Sequence, residues 1–345
     1  MTLKRWLLVG TFGALALIIY LAWHDIIRAF YRLDSLNIWV LLLMVPMLFL
    51  FYFSLGKFFE SFFAALGTKV RQSTLFTTML ELNFVNHVFP SGGISGFSYL
   101  TIRLKPYGIS TAKATIAQMG RFGFAFVSHI SLMFISLFLL AVEGHTSSLI
   151  VLLVSMFVFS LLAVAVVGLF VISNEQRCIN FARRFVGLIN HVVHIVRRKH
   201  PETLSLSKAE VTFVELHADY MQMRQNLGKM RQSFFWVTAA SILEIALLYV
   251  VFVAHGVWVN PGAVIIAFVI ANTAGLIVAL PGGIGVFEAL MTTVFIAVGV
   301  EPGLALSVTV VYRVIILLLS LVTGAAFYQR AINKIGSDGT ADIHS

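Results

Sequence analysis

The chain has 345 residues, of which 59% are hydrophobic and only 11% are charged, a composition that excludes an ordinary soluble domain. The formal net charge of +9 would suit a nucleic-acid-binding protein, but the basic residues lie mostly between apolar segments, as topology signals do. We therefore predict an all-α polytopic membrane protein with no nucleic-acid partner. The single cysteine, Cys178, excludes an internal disulfide.

Long apolar runs predict the membrane spans, because about 20 residues of helix cross a bilayer. The predicted spans, in chain order, are 6–23, 38–55, 111–142, 148–172, 233–254 and 303–328. A Phe-rich stretch between Lys57 and Arg71 follows the second span, and we expect it to lie at the membrane interface.

The segment 173–232 carries ten Lys or Arg against five Asp or Glu, which predicts a cytoplasmic amphipathic insert. Within it, the pattern over 181–198 is typical of a helix that rests on anionic lipid, with arginines near both ends and one apolar face. That face consists of Phe181, Phe185, Leu188, Val192 and Ile195. Ser207-Lys208-Ala209-Glu210 predicts a capping box that opens a second helix. We expect anionic lipid as a partner of this segment; the alternative is a solvated, structural role.

Two apolar segments are interrupted by a proline next to glycines, at Pro90 and at Pro281. Proline removes a backbone donor and glycine weakens a helix, so both helices should break there. Broken backbone at membrane depth persists only where protein buries it or where it lines a wet cavity. The leg after the first break, 94–102, is too short to span, so we predict a re-entrant hairpin over 73–102. For 262–300, a hairpin and a pair of full spans both fit.

Three landmarks recur in the two halves with nearly equal spacing: a proline, a glycine 18 residues later, and an arginine 31 or 32 residues later. They are Pro90 and Pro281, Gly108 and Gly299, and Arg121 and Arg313. This pattern predicts an internal repeat, with repeat one at about 38–142 and repeat two at about 233–328. The alternative is two unrelated turns that end helices.

The distribution of basic residues predicts the orientation. With a re-entrant first hairpin, 20 of the 24 Lys and Arg fall on one side, which the positive-inside rule makes cytoplasmic. Both termini and the insert would then be cytoplasmic, and the two hairpins would enter from opposite sides. That arrangement is an inverted-topology repeat, as found in many alternating-access transporters.

Charged side chains within membrane spans cost about 2.5–3.5 kcal/mol each on insertion scales, so they are commonly paired or functional. Two arginines near broken helices could hold a phosphate bidentately, with asparagines and exposed backbone N–H groups as further donors. The predicted headgroup-binding residues are Arg121, Arg313, Asn83, Asn86, Gly92, Gly93, Gly282, Gly283 and Asn272. The predicted coupling or ion-pair residues are Glu81, Glu244 and Glu288. The alternative is that Arg121 pairs with Glu81, and Arg313 with Glu288 or Glu244, as internal fasteners.

The sequence contains no phosphate-binding loop, nucleophile elbow or zinc-protease motif. We therefore predict a protein that is not an enzyme and has no cofactor. His87 and His129 are expected to be packed or hydrogen-bonded, because no spacing supports a metal site.

Leu280–Glu288, followed by Gly299-Val300 and Tyr312-Arg313, resembles the signature of the lysylphosphatidylglycerol synthase transmembrane domain family. This family is the flippase-like half of multiple peptide resistance factor and also occurs as stand-alone inner-membrane proteins. Asn83 to Pro90, then Gly108-Ile109-Ser110, resembles its first motif. The resemblance covers about residues 5–330. One departure is that many members carry a basic-Gly-acidic triplet after the first proline, where this chain has Ser91-Gly92-Gly93.

The resemblance implies a prokaryotic, multi-pass protein of the cytoplasmic membrane that moves a phospholipid or polyprenyl-linked lipid. We expect no aminoacyl-lipid synthesis, since no acyltransferase-like domain follows. Two alternatives stay open: an ion- or proton-coupled transporter of a small solute that uses Glu81, Glu244 or Glu288, and a membrane scaffold for a lipid-modifying enzyme. An oligomer is compatible with the sequence, which does not identify the lipid, the direction or the energy source.

Overall fold

The computed structural model describes residues 36–88, 94–142, 148–196, 205–277 and 286–341, and all regular structure within these segments is helical. The predicted first span and both predicted helix breaks lie outside the described residues. The break residues concerned are Pro90, Gly92, Gly93, Pro281, Gly282 and Gly283.

The helices of the first half, in chain order, are α1 (Ile38–Leu42), α2 (Met44–Ala65), α3 (Gln72–Val88), α4 (Ile94–Leu104) and α5 (Thr111–Val142). Asn37 caps α1, because its side-chain oxygen accepts the backbone N–H of Trp39 at 3.1 Å. Gly108 ends the turn after α4 with φ +76°, a left-handed conformation that glycine adopts without strain. Ser110 then accepts the backbone N–H of Lys113 at 3.1 Å and starts α5.

Helix α6 (Ser148–Ile172) leads to the insert, which contains α7 (Glu175–Val196) and α8 (Leu206–Gln225). The second half follows the insert. Its own helices are α9 (Arg231–Ala254), α10 (Pro261–Ile277), α11 (Val286–Ala297) and α12 (Pro302–Ala341). The turn between α11 and α12 repeats the design of the turn before α5. Gly299 has φ +92°, and the Glu301 carboxylate accepts the backbone N–H groups of Gly303 and Leu304 at 2.8 and 2.7 Å.

Five helical segments of the described chain are long and apolar enough to cross a membrane. They are Ile38–Ala65, Thr111–Val142, Val154–Ile172, Gly228–Ala254 and Pro302–Gln329. All five coincide with predicted spans, so the prediction of an all-α polytopic membrane protein is confirmed. The described helices that flank the second break have 17 and 12 residues, both below the roughly 20 that a span needs. Both helices reach the edge of the described segments next to the break, so the choice between a hairpin and two full spans stays a prediction.

The Phe-rich stretch after Lys57 is the end of a buried helix, which corrects the expectation of an amphipathic segment resting on the membrane interface. Helix α2 runs through it to Ala65, and its aromatic side chains are fully buried: Phe58, Phe59, Phe62 and Phe63. The helix packs along α9 and also touches α5, so it is covered on more than one side. Phe62 packs directly on the backbone of α5 at Gly120, where a Cβ would lie 2.5 Å from its ring.

The two halves exchange contacts. Helix α3 of the first half packs on α12 of the second, while α10 of the second half packs on α5 of the first. Helices α2 and α9, which open the two halves, pack against each other at the centre. This exchange of contacts is expected if the two halves are related repeats. Their opposite orientation in the membrane stays a prediction.

The insert forms a helix pair held by an ion pair between Arg183 of α7 and Glu210 of α8, at 2.6 Å. The predicted capping box is wrong, because the helix begins two residues earlier than expected. Helix α8 begins at Leu206 after Ser205, so Ser207 lies inside the helix and Glu210 is engaged by α7.

The apolar face predicted on α7 is partly confirmed. The helix begins at Glu175 rather than at 181, and Phe181, Phe185 and Leu188 are exposed on it. A neighbouring stripe is buried and consists of Cys178, Ala182 and Val186. Burial also raises the pKa of the Cys178 thiol. The side chains of Val192 and Ile195 lie outside the described ones.

Candidate functional site

The carboxylate of Glu81 on α3 joins the two helices that flank the first break. It is 2% exposed and accepts hydrogen bonds from Tyr99 Oη at 2.7 Å, Arg103 Nε at 2.8 Å and Arg103 Nη2 at 3.4 Å. We call Glu81, Tyr99 and Arg103 the Glu81 clamp. The alternative that paired Arg121 with Glu81 is wrong, since Arg103 on α4 takes that place.

A second contact docks this pair of helices on α12. The ring of Tyr328 lies 5.1 Å from Phe84 of α3 and 5.8 Å from Tyr99 of α4, between ring centroids. Gly324 permits the approach, because a Cβ there would lie 2.5 Å from Phe84 Cβ and 3.0 Å from the Leu80 carbonyl oxygen. Glu81 thus lies at a packed junction between three helices.

Arg313 on α12 makes an ion pair with α11, the helix that follows the second break. Its Nε lies 3.0 Å from Glu288 Oε1 on α11, and its Cζ lies 4.8 Å from the centroid of the Phe287 ring. One of the predicted fasteners, Arg313 with Glu288, is therefore confirmed. His87 of α3 interacts electrostatically with Arg313 and donates from Nδ1 to the Asn83 carbonyl oxygen at 2.9 Å. Three helices, α3, α11 and α12, thus meet at this arginine.

Arg121 on α5 is placed differently. Its Cζ lies 4.5 Å from the centroid of the Phe122 ring, and its Nε is buried without a hydrogen-bond partner among the described residues. Glu244 of α9 is near enough to interact electrostatically, yet no ion pair within 4.0 Å joins the two in the described part of the chain. Glu244 also interacts with Tyr52 of α2 and Tyr312 of α12. Side chains of α2, α5 and α12 thus lie within electrostatic range of one carboxylate on α9.

Further polar atoms line the same face of α5. Those that are buried and lack a hydrogen-bond partner within the described segments are Gln118 Oε1, Arg121 Nε, Ser128 Oγ and His129 Nε2. We call these four residues the α5 polar stripe. They lie on one side of the helix, and at 1.5 Å per residue they extend over about 16 Å of its length. A buried polar atom without a partner costs about 1–3 kcal/mol, so such a row requires a physical reason.

The predicted asparagines lie at the ends of the helices that flank the breaks. Asn83, Asn86 and Asn272 are half-buried. Asn86 lies against Gly96 of α4, where a Cβ would clash with its side chain, and Asn86 Oδ1 has no partner in the described structure. The backbone donors predicted at Gly92, Gly93, Gly282 and Gly283 stay predictions.

Sequence reasoning missed Arg103, Tyr99 and Tyr52. Arg103 directly follows the short leg predicted over 94–102, and a hairpin brings positions on either side of its break together. Tyrosines inside apolar helices were also a signal, since a buried hydroxyl needs a polar neighbour. Among the described residues no group of three or more His, Cys, Asp or Glu could hold a metal ion.

Comparisons with known proteins agree with this architecture. The family model for the lysylphosphatidylglycerol synthase TM region matches residues 6–324. A UPF0104 membrane protein of Methanothermobacter thermautotrophicus is 27% identical over 260 residues, which cover 73% of each chain. Another match in that organism, also described as a UPF0104 membrane protein, is 36% identical over 108 residues, about a third of each chain. A UPF0104 membrane protein of Pyrococcus horikoshii is 27% identical over 134 residues, 36% of this chain and 39% of the relative.

Proposed function

The chain belongs to the lysylphosphatidylglycerol synthase TM region family, and we propose that it is a lipid translocase of a prokaryotic cytoplasmic membrane. Its substrate is a phospholipid or a polyprenyl-linked lipid. The headgroup crosses through the helix bundle while the acyl chains remain in the bilayer. The chain itself catalyses no covalent reaction and uses no cofactor.

The observation that carries this proposal is the α5 polar stripe, whose Arg121 interacts electrostatically with Glu244. Polar atoms inside a membrane protein need partners, and ionisable groups there usually mark a substrate or ion pathway. A headgroup that moves along this row provides hydrogen-bond partners for it, namely phosphate oxygens, hydroxyl groups and bound water. These partners are temporary, because the headgroup moves on. The stripe extends over about 16 Å, roughly half of the 30 Å hydrocarbon core.

The two arginines differ in their readiness to bind phosphate. The buried Nε of Arg121 has no hydrogen-bond partner among the described residues, whereas the Nε of Arg313 lies 3.0 Å from Glu288. A guanidinium binds phosphate through two parallel hydrogen bonds. Arg121 is therefore the first contact of the headgroup, and Arg313 joins only in a conformation in which Glu288 releases it. Such an exchange of partners fits a protein that alternates between two states.

A second candidate function has one specific observation in its favour. Glu244 makes no ion pair within 4.0 Å of a described residue while it interacts electrostatically with Arg121, Tyr52 and Tyr312. A carboxylate in that position suits proton or cation coupling, either to lipid movement or to uptake of a small solute.

Headgroup translocation in proteoliposomes across a panel of phospholipids and polyprenyl-linked lipids tests the proposal. We expect accelerated translocation for at least one lipid class relative to protein-free vesicles. Solute uptake in the same vesicles, with every lipid moving at the protein-free rate, would replace the lipid translocase by the second candidate.

A further inference from the structure

A cleft of about 400 Å³ lies where the start of α9 meets α5. This size is within the usual range for ligand sites, about 300–1,000 Å³. Its lining residues are Phe124, Met230, Arg231, Phe234, Phe235 and Thr238. We call it the α5–α9 cleft. The candidate span begins at Gly228, so Arg231 lies near one end of the span and Thr238 about 10 Å deeper along the helix.

The apolar part of the cleft is built on an aromatic cluster. Phe124 lies 6.0 Å from Phe234 with the rings nearly perpendicular, and 6.3 Å from the fully buried Phe58 of α2. Aromatic pairs prefer such edge-to-face arrangements. Phe235, also in the lining, is 62% exposed. The cleft therefore offers a preformed apolar surface at the start of a membrane span.

The polar end of the cleft is positively charged. The segment 224–232 contains Arg224, Lys229 and Arg231 and no acidic residue, and all three basic residues are exposed. Basic residues next to a membrane surface each favour anionic lipid by about fivefold in affinity. Apolar walls capped by positive charge are complementary to an amphiphile with an anionic head.

We propose that the α5–α9 cleft binds a diacyl phospholipid with an anionic headgroup. One acyl chain lies over Phe124 and Phe234, and the phosphate contacts Arg231. The choice of a lipid over a soluble anion follows from the position of Arg231 at the edge of the span and from the aromatic lining beneath it. This site holds whether or not the chain translocates lipid.

Trp236 provides the test, because its ring centroid lies 5.3 Å from that of Phe235. The full-length protein, with Trp6, Trp23, Trp39 and Trp258 replaced by Phe, is placed in nanodiscs. Lipids with brominated acyl chains quench a tryptophan that they touch. We expect brominated phosphatidylglycerol to quench Trp236 at a severalfold lower mole fraction than brominated phosphatidylcholine does.

Two variants and one matched control complete the experiment. Arg231→Gln should reduce the preference for phosphatidylglycerol about fivefold, and Thr238→Phe, which fills the cleft, should weaken quenching by both lipids. The control Arg71→Gln removes an exposed arginine at the start of α3 and should change neither value. Unfolding temperatures are measured for all variants. Equal quenching by the two lipids, or an unchanged preference in folded Arg231→Gln, overturns the proposal.

Discussion

Arg103→Met tests whether the Glu81 clamp holds the two helices that flank the first break. The substitution removes the only cationic partner of Glu81 among the described residues and leaves its carboxylate, which is 2% exposed, with the Tyr99 hydroxyl. Removing one partner of a buried ion pair costs about 3–5 kcal/mol, because the other charge stays buried. We expect a loss of that size in the free energy of unfolding.

The double variant Glu81→Met, Arg103→Met separates a buried charge from lost packing. Replacing both partners by apolar side chains is often nearly neutral. The double variant should therefore be more stable than Arg103→Met and should lose only about 1–3 kcal/mol for the Tyr99 hydroxyl left without its acceptor.

Reversible denaturation in mixed micelles, followed by tryptophan fluorescence, measures these differences. The matched control is Arg183→Met, which removes a more exposed ion pair, with side chains 54% and 29% exposed, and should cost no more than about 1 kcal/mol. The reasoning fails if Arg103→Met costs no more than Arg183→Met, or if the double variant is no more stable than Arg103→Met.

Three further predictions concern topology, packing and the insert. Cysteines placed at Ser205 and Ser337 should react only from the cytoplasm and one at Ser147 only from outside; labelling of Ser205 and Ser147 from one side would end the inverted-repeat hypothesis. Gly324→Val should lower the free energy of unfolding by at least about 1–3 kcal/mol, because the new Cβ would meet Phe84. Gly123→Ala is the control: a Cβ there meets open space, so the variant should be neutral or more stable by up to about 1 kcal/mol. An environment-sensitive probe at Leu188→Cys should report an apolar surrounding in anionic nanodiscs, and Arg184→Gln should weaken that response; an unchanged signal between anionic and zwitterionic nanodiscs would argue for a solvated helix.

Much of the fold follows from patterns that act locally along the chain. Hydropathy places five spans, since each apolar run must cover the bilayer thickness by itself. The landmark glycines Gly108 and Gly299 both adopt positive φ values, because a helix that ends and restarts within a few residues needs a left-handed residue. The ion pair between Arg313 and Glu288 is also predictable from the sequence, because both residues belong to the second motif.

The predictions that were wrong all depend on tertiary contacts, which local sequence patterns do not reveal. Hydropathy does not distinguish an interfacial helix from one covered on several sides, so the burial of Phe58 and Phe62 within α2 was missed. The partner of Glu81 depends on how α3 and α4 fold back on each other, and that geometry selects Arg103 over Arg121. The capping box at Ser207 failed because α8 begins before it and Glu210 bonds to the neighbouring helix.

The double variant Arg121→Lys, Arg313→Lys tests the central claim most directly, through headgroup translocation in proteoliposomes measured together with the unfolding temperature. Lysine keeps the charge but loses the bidentate fork. Loss of one charge-assisted hydrogen bond, about 1.5–3 kcal/mol, predicts a fall in translocation of about 10- to 150-fold at an unchanged unfolding temperature. Full translocation by this variant would contradict a headgroup site at the two arginines.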